Sequence, residues 1–319
     1  MQGREIYIRA IEFEDSSDKY WRDISNLNLD DLHETNLRSS GFSEFSVFSR
    51  DKFEVVIDVA LKAIDSSMMS VSDIDAIIFS SAFGDSHIVN TSEDRKIESY
   101  FQYSAMMVRE RLGLRCKHVY GLSQLGCISL HASIELASRI SGDDIKNVLC
   151  ISLDQVPSDV SRYVLHSVVS DSCGAVVTSL EKKHGSLRLT SYDQVSNSYY
   201  WDTSQYINKL EASYYPTSRR LITNLLRDSN VSMSDIKCIM PNNVSRKSWE
   251  ILADSLNINF DKIYLKTLVN QAHTVSLDSF LNLKDYVTES NVLDGEKFMF
   301  FGFGFGAYWC AGILEYCNE

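Results

Sequence analysis

The chemistry in this chain starts from one cysteine. Val119-Tyr120-Gly121-Leu122-Ser123-Gln124-Leu125-Gly126-Cys127-Ile128-Ser129-Leu130 is an apolar run that ends at a glycine and a cysteine, after which a helical pattern begins at once. Ile128, Ala132, Leu136 and Ile140 recur every fourth residue, with Glu135 and Arg139 as a surface pair beside them. This spacing puts Cys127 at or just before a helix N-terminus, where unpaired backbone N–H groups carry partial positive charge and favour an anion. A thiolate is such an anion, so the segment reads as an activated nucleophile, with Gly126 leaving room for a tight strand-to-helix turn. A small hydrophobe buried under a packed helix accounts for the same residues.

The elements that must position Cys127 come in two copies. A helix over Phe53 to Ile64, with Phe53, Val56, Ile57, Val59, Ala60 and Ile64 on one stripe, leads through Ser72-Asp73-Ile74-Asp75 to a buried strand at Ala76–Ser81. Arg220 to Leu226 leads likewise through Ser234-Asp235-Ile236-Lys237 to Cys238–Asn243, and VSDIDAIIFSS aligns with MSDIKCIMPNN without a gap. Each copy continues alike. Glu98–Leu112 reads as a helix, followed by a strand at Lys117–Leu122 and by Cys127. Ser245–Leu256 reads as a helix, followed by Ile263-Tyr264-Leu265, by Asn270-Gln271-Ala272-His273-Thr274 and by a helix from Ser276 to Tyr286. Cys127 and His273 therefore hold similar places, and two such loops can face each other across a pseudo-twofold axis. Strands at Asn147–Leu153 and Ser172–Leu180 close the first copy; Lys297–Gly302 and Ala307–Tyr316 close the second. Two α/β halves are expected, residues 1–180 and 181–319. Residues 1–50 read as irregular after a first strand at Ile6-Tyr7-Ile8, apart from a short acidic helical turn at Asp30–Glu34. Glycine alternates through Phe301-Gly302-Phe303-Gly304-Phe305-Gly306-Ala307, which marks a bend or a close approach, or a strand packed too tightly for side chains.

Composition narrows the classes. The 319 residues are 44% hydrophobic and 23% charged, ordinary for a globular protein, and three prolines leave little room for long disordered linkers. Net charge is −12, which disfavours a nucleic-acid role, so an acidic partner would need a local basic patch; Arg219-Arg220 and Arg246-Lys247 are the densest basic pairs of the second half. Seven scattered cysteines without a CxxC pair argue for a reducing cytoplasm and against a zinc site or disulfide framework. Neither a signal pattern nor a membrane span is expected.

Taken together, these landmarks resemble the thiolase-fold ketoacyl synthase III family over nearly the whole chain. The family's cysteine at the start of a buried helix matches Cys127 in LGCISLHASIELA. SDSCGAVV (Ser170–Val177) is similar to its Asp-Gly-x-Gly-Ala strand entry, Pro241–Ser245 stands for its His-Gln-Ala-Asn loop, Ala272–Val275 for its Gly-Asn-Thr-Ser loop, and Phe303–Trp309 for its Gly-rich closing strand. The resemblance implies a five-layer αβαβα thiolase-like fold with two pseudo-repeated halves. It also implies a homodimer or a heterodimer with another thiolase-fold chain. The departures are informative. Asn242 stands where the family has its catalytic His, and His273 where it has its catalytic Asn. The resemblance thus implies acyl-thioester formation on Cys127 with His273 as base, Asn242 in support, and the N–H groups of Cys127 and Gly306 as oxyanion donors. The exchanged pair puts malonyl decarboxylation in doubt. Transfer of the acyl group to an oxygen, nitrogen or carbon nucleophile of a small-molecule acceptor is expected, in specialised metabolite biosynthesis. A decarboxylative or non-malonyl condensing enzyme and a non-catalytic subunit of a heterodimer are the alternatives. No cofactor or metal is implied beyond the acyl-CoA or acyl carrier protein that serves as substrate. In the family's coenzyme A stretch Arg38 is kept while the stacking Trp falls on Glu34, and Lys247, beside Arg246, stands at a basic carrier-docking position; both favour a carrier protein over free coenzyme A.

Overall fold

The computed structural model describes residues 3–83 and 101–318. The expected helix start at Glu98 lies outside the described residues. The first half contributes β1 (Tyr7–Phe13), β2 (Lys19–Asp23), α1 (Asp31–Ser39), β3 (Glu44–Phe48), α2 (Lys52–Ser66), β4 (Ala76–Ser80), α3 (Ser104–Arg111), β5 (His118–Leu122), α4 (Ser129–Ile140), β6 (Asn147–Asp154), β7 (Tyr163–Val164), β8 (Ser167–Val168) and β9 (Ser172–Ser179). There follow β10 (Ser186–Ser196), α5 (Thr203–Asp228), β11 (Ile236–Met240), α6 (Arg246–Leu256), α7 (Leu268–Gln271), α8 (Asp278–Glu289), β12 (Lys297–Gly304) and β13 (Tyr308–Cys317).

Nine strands join in the order β11-β12-β13-β10-β1-β9-β6-β4-β5. The sheet is continuous only through Tyr7↔Arg188 and Ile8↔Leu187, where β1 meets β10. On either side of that seam the pairing repeats. β4 is parallel to β6, β6 antiparallel to β9 and β9 antiparallel to β1. In the same way β11 is parallel to β12, β12 antiparallel to β13 and β13 antiparallel to β10. β5 flanks β4 in parallel; its counterpart is shorter than expected, because Ile263 makes only a single parallel bridge to Ile239. The turns into β4 and β11 share a hydrogen-bond pattern as well as a sequence. Ser70 N–H donates to Asp73 Oδ2 at 2.7 Å and Ser232 N–H to Asp235 Oδ2 at 2.8 Å. Ser70 pairs with Ser72, and Ser232 with Ser234, through their hydroxyls. In each copy the Ser-x-Ser-Asp motif caps the turn before the strand with its own side chains.

Alternation along the strands builds the layers. Ile77, Phe79, Leu149 and Ile151 face outward onto Val55, Val56 and Val59 of α2 and Val108 of α3. Ile78, Val148 and Cys150 face inward, and so do Met240, Phe298 and Phe300 from the other half. Between them lie Leu130, Ile134 and Ala137 of α4 and Phe280 and Leu283 of α8. Ile239, Met299, Phe301 and Ile313 face outward again, onto Leu221, Ile222 and Leu225 of α5 and Trp249 and Leu252 of α6. The order is helix, sheet, helix, sheet, helix: the five-layer αβαβα arrangement.

Several local expectations change. The buried stripe of α4 runs through Leu130, Ile134 and Ala137, with Ala132, Leu136 and Ile140 only partly buried, because this helix is covered by sheets on both sides. Residues 1–50 are not irregular: β2 and β3 pair as a hairpin and α1 runs well past Glu34. β10 gives little signal because only its start is buried. α5 extends back to Thr203 through Pro216, which hid its first half. Among the described residues no helix is long and apolar enough to cross a membrane.

The middle layer tolerates no added volume where β13 passes β12. A Cβ on Gly312 would lie 2.1 Å from Phe300 Cζ, and that ring is held against His131 and Phe280. Gly312→Ala should destabilise the fold by about 1–3 kcal/mol, the usual cost of overpacking. An unchanged urea midpoint would contradict this packing.

Candidate active site

β5 delivers the chain into a tight turn. Gln124 (φ 66) and Gly126 (φ 54) are left-handed, and Gly126–Ile128 forms one 3-10 turn that runs into α4. Cys127 therefore sits immediately before the helix, partly exposed, with Ile128 and Ser129 buried behind it. Two glycines make this possible. A Cβ on Gly126 would lie 2.7 Å from Phe305 O, and one on Gly304 would lie 2.6 Å from Cys127 N. The Gly-rich strand is thus a close approach of two backbones, in which β12 presses against the peptide of Cys127.

His273 comes from the loop between α7 and α8. His273 Nε2 lies 3.4 Å from Cys127 Sγ, and Nδ1 lies 2.5 Å from Asp278 Oδ2. His273 is 4% exposed and Asp278 1%. The loop's backbone is strapped to the end of β8: His273 N–H donates to Val168 O, and Ser170 N–H to His273 O, both at 3.0 Å. Ala272 (φ 53) and Val275 (φ 58) are left-handed, non-glycine positions on either side of the histidine, conformations that persist only where surroundings enforce them. Asp278, the first residue of α8, accepts further hydrogen bonds from Asn243 N–H (2.6 Å), Thr274 N–H (2.6 Å) and Thr274 Oγ1 (2.7 Å). A carboxylate so held accepts the Nδ1 proton, which leaves Nε2 as the nitrogen that exchanges a proton with sulfur. Burial alone would push the imidazole down. The Asp278 carboxylate first, and Cys127 beside it, outweigh burial and hold His273 well above its ordinary 6.5. The geometry is that of a nucleophile, a base and an orienting acid.

Other expected residues fall elsewhere. Asn242 is 1% exposed, but neither atom of its side-chain amide has a partner; only its backbone carbonyl is used, by Trp249 Nε1 at 2.9 Å. It does not orient His273, because Asp278 does. The neighbouring Asn243 is the networked amide, donating to Thr267 Oγ1 and Ala272 O and accepting from Asn282 Nδ2. Gly306 N–H is taken by Thr203 Oγ1 at 3.0 Å, so in this conformation it is not a free oxyanion donor. Arg38 is clamped by Asp23 at 2.7 Å and Glu34 at 2.8 Å, which removes it as a free docking cation. Arg246 pairs with Glu250 at 3.0 Å and stacks over Phe260, whereas Lys247 is exposed with no ion-pair partner among the described residues. His131, one turn beyond Cys127, is buried against Ser279 and pushed down to about 3, so it stays neutral. Asp278 was not singled out in the sequence; its signal was a carboxylate five residues after His273 in the first turn of a helix. Among the described residues no cluster of three or more His, Cys, Asp or Glu could hold a metal ion.

Two cavities meet at the Cys127–His273 pair. The narrower, about 80 Å³, passes Leu165, His166, Glu211, Tyr214 and Tyr215. The wider, about 760 Å³, is lined by apolar groups that include Phe83, Val156, Val160, Trp201 and Tyr308. His166, without a role in the sequence reading, stands on the wall of the first.

Asp278→Asn keeps the shape and removes the charge. It should slow any reaction that uses His273 as base by roughly 10²-fold or more, within the range general bases contribute. Because His273 is raised in the folded chain, its stabilising contribution is fully present below about 6.5 and is lost as pH rises through the folded value. The variant should therefore lose more stability at pH 5.5 than at pH 9. Equal losses at both, measured by urea denaturation, would contradict the charge pairing.

Comparison with known proteins agrees with this fold. Residues 226–316 match the family described as 3-oxoacyl-[acyl-carrier-protein] synthase III, C terminal. A β-ketoacyl-[acyl-carrier-protein] synthase III of Listeria innocua is 22% identical over 311 residues, covering 92% of this chain and 94% of its own. The Staphylococcus aureus (strain Newman) enzyme of the same description is 23% identical over 283 residues, covering 84% of each. Among solved structures, the synthase III of Aquifex aeolicus superposes with TM-score 0.76 at 15% identity over 98% of this chain and 100% of its own. ChlB3, described as an acyltransferase, superposes with TM-score 0.78 at 15% identity over 98% of each. Xanthomonas campestris OleA with bound cerulenin reaches 0.78 at 13% identity over 99% of this chain and 100% of its own. The chain has the thiolase-like fold of these synthases, resembles them distantly over most of its length, and matches their C-terminal family pattern over residues 226–316.

Proposed function

We propose that the protein is an acyltransferase that carries its acyl group as a thioester on Cys127. The observation that carries this reading is the contact of 3.4 Å between His273 Nε2 and Cys127 Sγ, with Asp278 behind the ring. His273 takes the thiol proton, and the sulfur attacks the carbonyl of a donor thioester. The new C–S bond forms, the donor's C–S bond breaks, and its thiol leaves with the proton from Nε2. An acceptor hydroxyl or amine then attacks the Cys127 thioester, passes its proton to Nε2 and releases the cysteine sulfur. One imidazole serves both halves of this cycle. Cys127 N–H, at the mouth of α4, is the candidate oxyanion donor, and the unpartnered Asn242 amide is a second group able to donate to a carbonyl oxygen.

The wider apolar cavity suits the acyl chain, where Phe83, Val156, Val160 and Trp201 offer hydrocarbon contacts. Lys247 is free and Arg38 is neutralised, which favours an acyl carrier protein over free coenzyme A as donor. β5 ends the sheet, and its outer edge has no partner strand among the described residues, which suits edge-to-edge dimerisation. The exchange of residue types between positions 242 and 273 favours transfer over malonyl decarboxylation, since the single imidazole is committed to sulfur.

Intact-protein mass after incubation with acyl-N-acetylcysteamine thioesters tests the reading. An acyl adduct should form, and it should be absent in Cys127→Ala. His273→Ala should form it roughly 10²–10⁴ times more slowly at pH 7. An adduct that survives Cys127→Ala, or a His273→Ala rate equal to the parent's, would overturn it.

A further inference from the structure

The narrow cavity beside Cys127 and His273 has an unusual wall. Glu211, from α5, is its only carboxylate, and no lysine or arginine lines it among the described residues. Among the described residues the one group able to be cationic within 4 Å of it is His166, whose Nε2 lies 3.9 Å from Glu211 Oε1, too far for a hydrogen bond. Glu211 has no other partner among the described residues, and its side chain is 50% exposed.

His166 is held opposite Glu211 by a strained turn. Leu165 (φ 42) and His166 (φ 63) are the two residues that connect β7 to β8, and both are left-handed. Such turns ordinarily use glycine or asparagine; here two bulky residues adopt the conformation and both line the cavity. Strain kept at a cavity wall points to function there. Tyr214 lines the same cavity, 7% exposed, and its hydroxyl has no hydrogen-bond partner. Tyr215, Phe303 and Phe305 add aromatic rings. A carboxylate with no cation within hydrogen-bond distance, an unpaired buried hydroxyl and aromatic faces together fit a small polar cation.

We propose that this cavity is the acceptor subsite and that Glu211 selects acceptors bearing an ammonium group beside the hydroxyl or amine that receives the acyl chain. The assignment rests on the acyl transfer proposed above and adds the class of acceptor. An anionic acceptor would meet Glu211 with no arginine or lysine to offset it, whereas an ammonium ion displaces the long His166 contact with a charge-assisted one. In the transfer step the acceptor's O–H proton goes to His273 Nε2, the new C–O bond forms, the Cys127 C–S bond breaks, and the ammonium is unchanged.

Two isosteric probes separate charge from shape: 2-(dimethylamino)ethanol, cationic at pH 7.5, and 3-methylbutan-1-ol, neutral. Cys127 is first loaded from octanoyl-N-acetylcysteamine, and loss of the octanoyl adduct is followed by mass with each probe, so that differences in loading do not enter. The parent should transfer roughly tenfold faster to the amino alcohol, and the ratio should fall as salt is raised. In Glu211→Gln the ratio should collapse towards one. Equal acceleration by both probes in the parent, acceleration by neither, or a ratio that persists in Glu211→Gln would overturn the acceptor assignment and leave acyl-enzyme formation standing. Failure to load Cys127 would overturn both.

Discussion

The active site depends on one buried carboxylate. Asp278 accepts from the His273 ring, two backbone N–H groups and a threonine hydroxyl, all within 2.7 Å. A charge taken out of water is costly unless it is paired and hydrogen-bonded. Here the partners come from two separate loops, Asn243 from the loop after β11 and His273 with Thr274 from the loop before α8. Asp278 also opens α8, where the partial positive charge of the helix start favours an anion. Electrostatic satisfaction of a single residue therefore fixes both loops of the second half and aims one imidazole nitrogen across the middle layer at the first.

The cysteine's side of the site is set by packing. Gly304 and Gly126 let β12 touch the peptide of Cys127, so the cysteine of one half is pressed against the closing strand of the other. The seam through Tyr7 and Ile8 is narrow, and strands of both halves share one core with α4 and α8. That shared core is also what brings the starts of the two helices near each other, Cys127 before α4 and Asp278 at the head of α8. The pseudo-twofold arrangement and the site are consequences of the same middle layer.

Much of this was legible because it is local. A strand, a glycine, a cysteine and a helical pattern announce Cys127, and the repeated Ser-Asp-Ile turns with the strands after them announce two copies of one unit. His273 followed from its equivalent place in the second copy. What escaped depended on contacts distant in sequence. Asp278 needed the knowledge that the head of α8 turns back onto His273. Gly306 is engaged by Thr203, at the start of a helix hidden by Pro216 and a tyrosine-rich stretch. The bond from Arg38 to Glu34 is a helical i,i+4 pair, readable in principle, but Asp23 arrives from β2, a strand with little apolar pattern. The α4 stripe was misjudged by rotation, since a helix between two sheets buries more than one face.

Asn242 and His273 stand in opposite environments. An amide at 242 cannot take a proton at neutral pH, and it lies unpartnered, while the imidazole is drawn to sulfur by an acid behind it. The central claim is that Asp278 tunes and aims His273 for Cys127. A ¹⁵N NMR titration of the His273 ring tests it most directly. The account predicts a midpoint well above 6.5 that moves down markedly when Asp278 is replaced by asparagine. A midpoint at or below 6.5 in the parent, or one indifferent to Asp278, would contradict it.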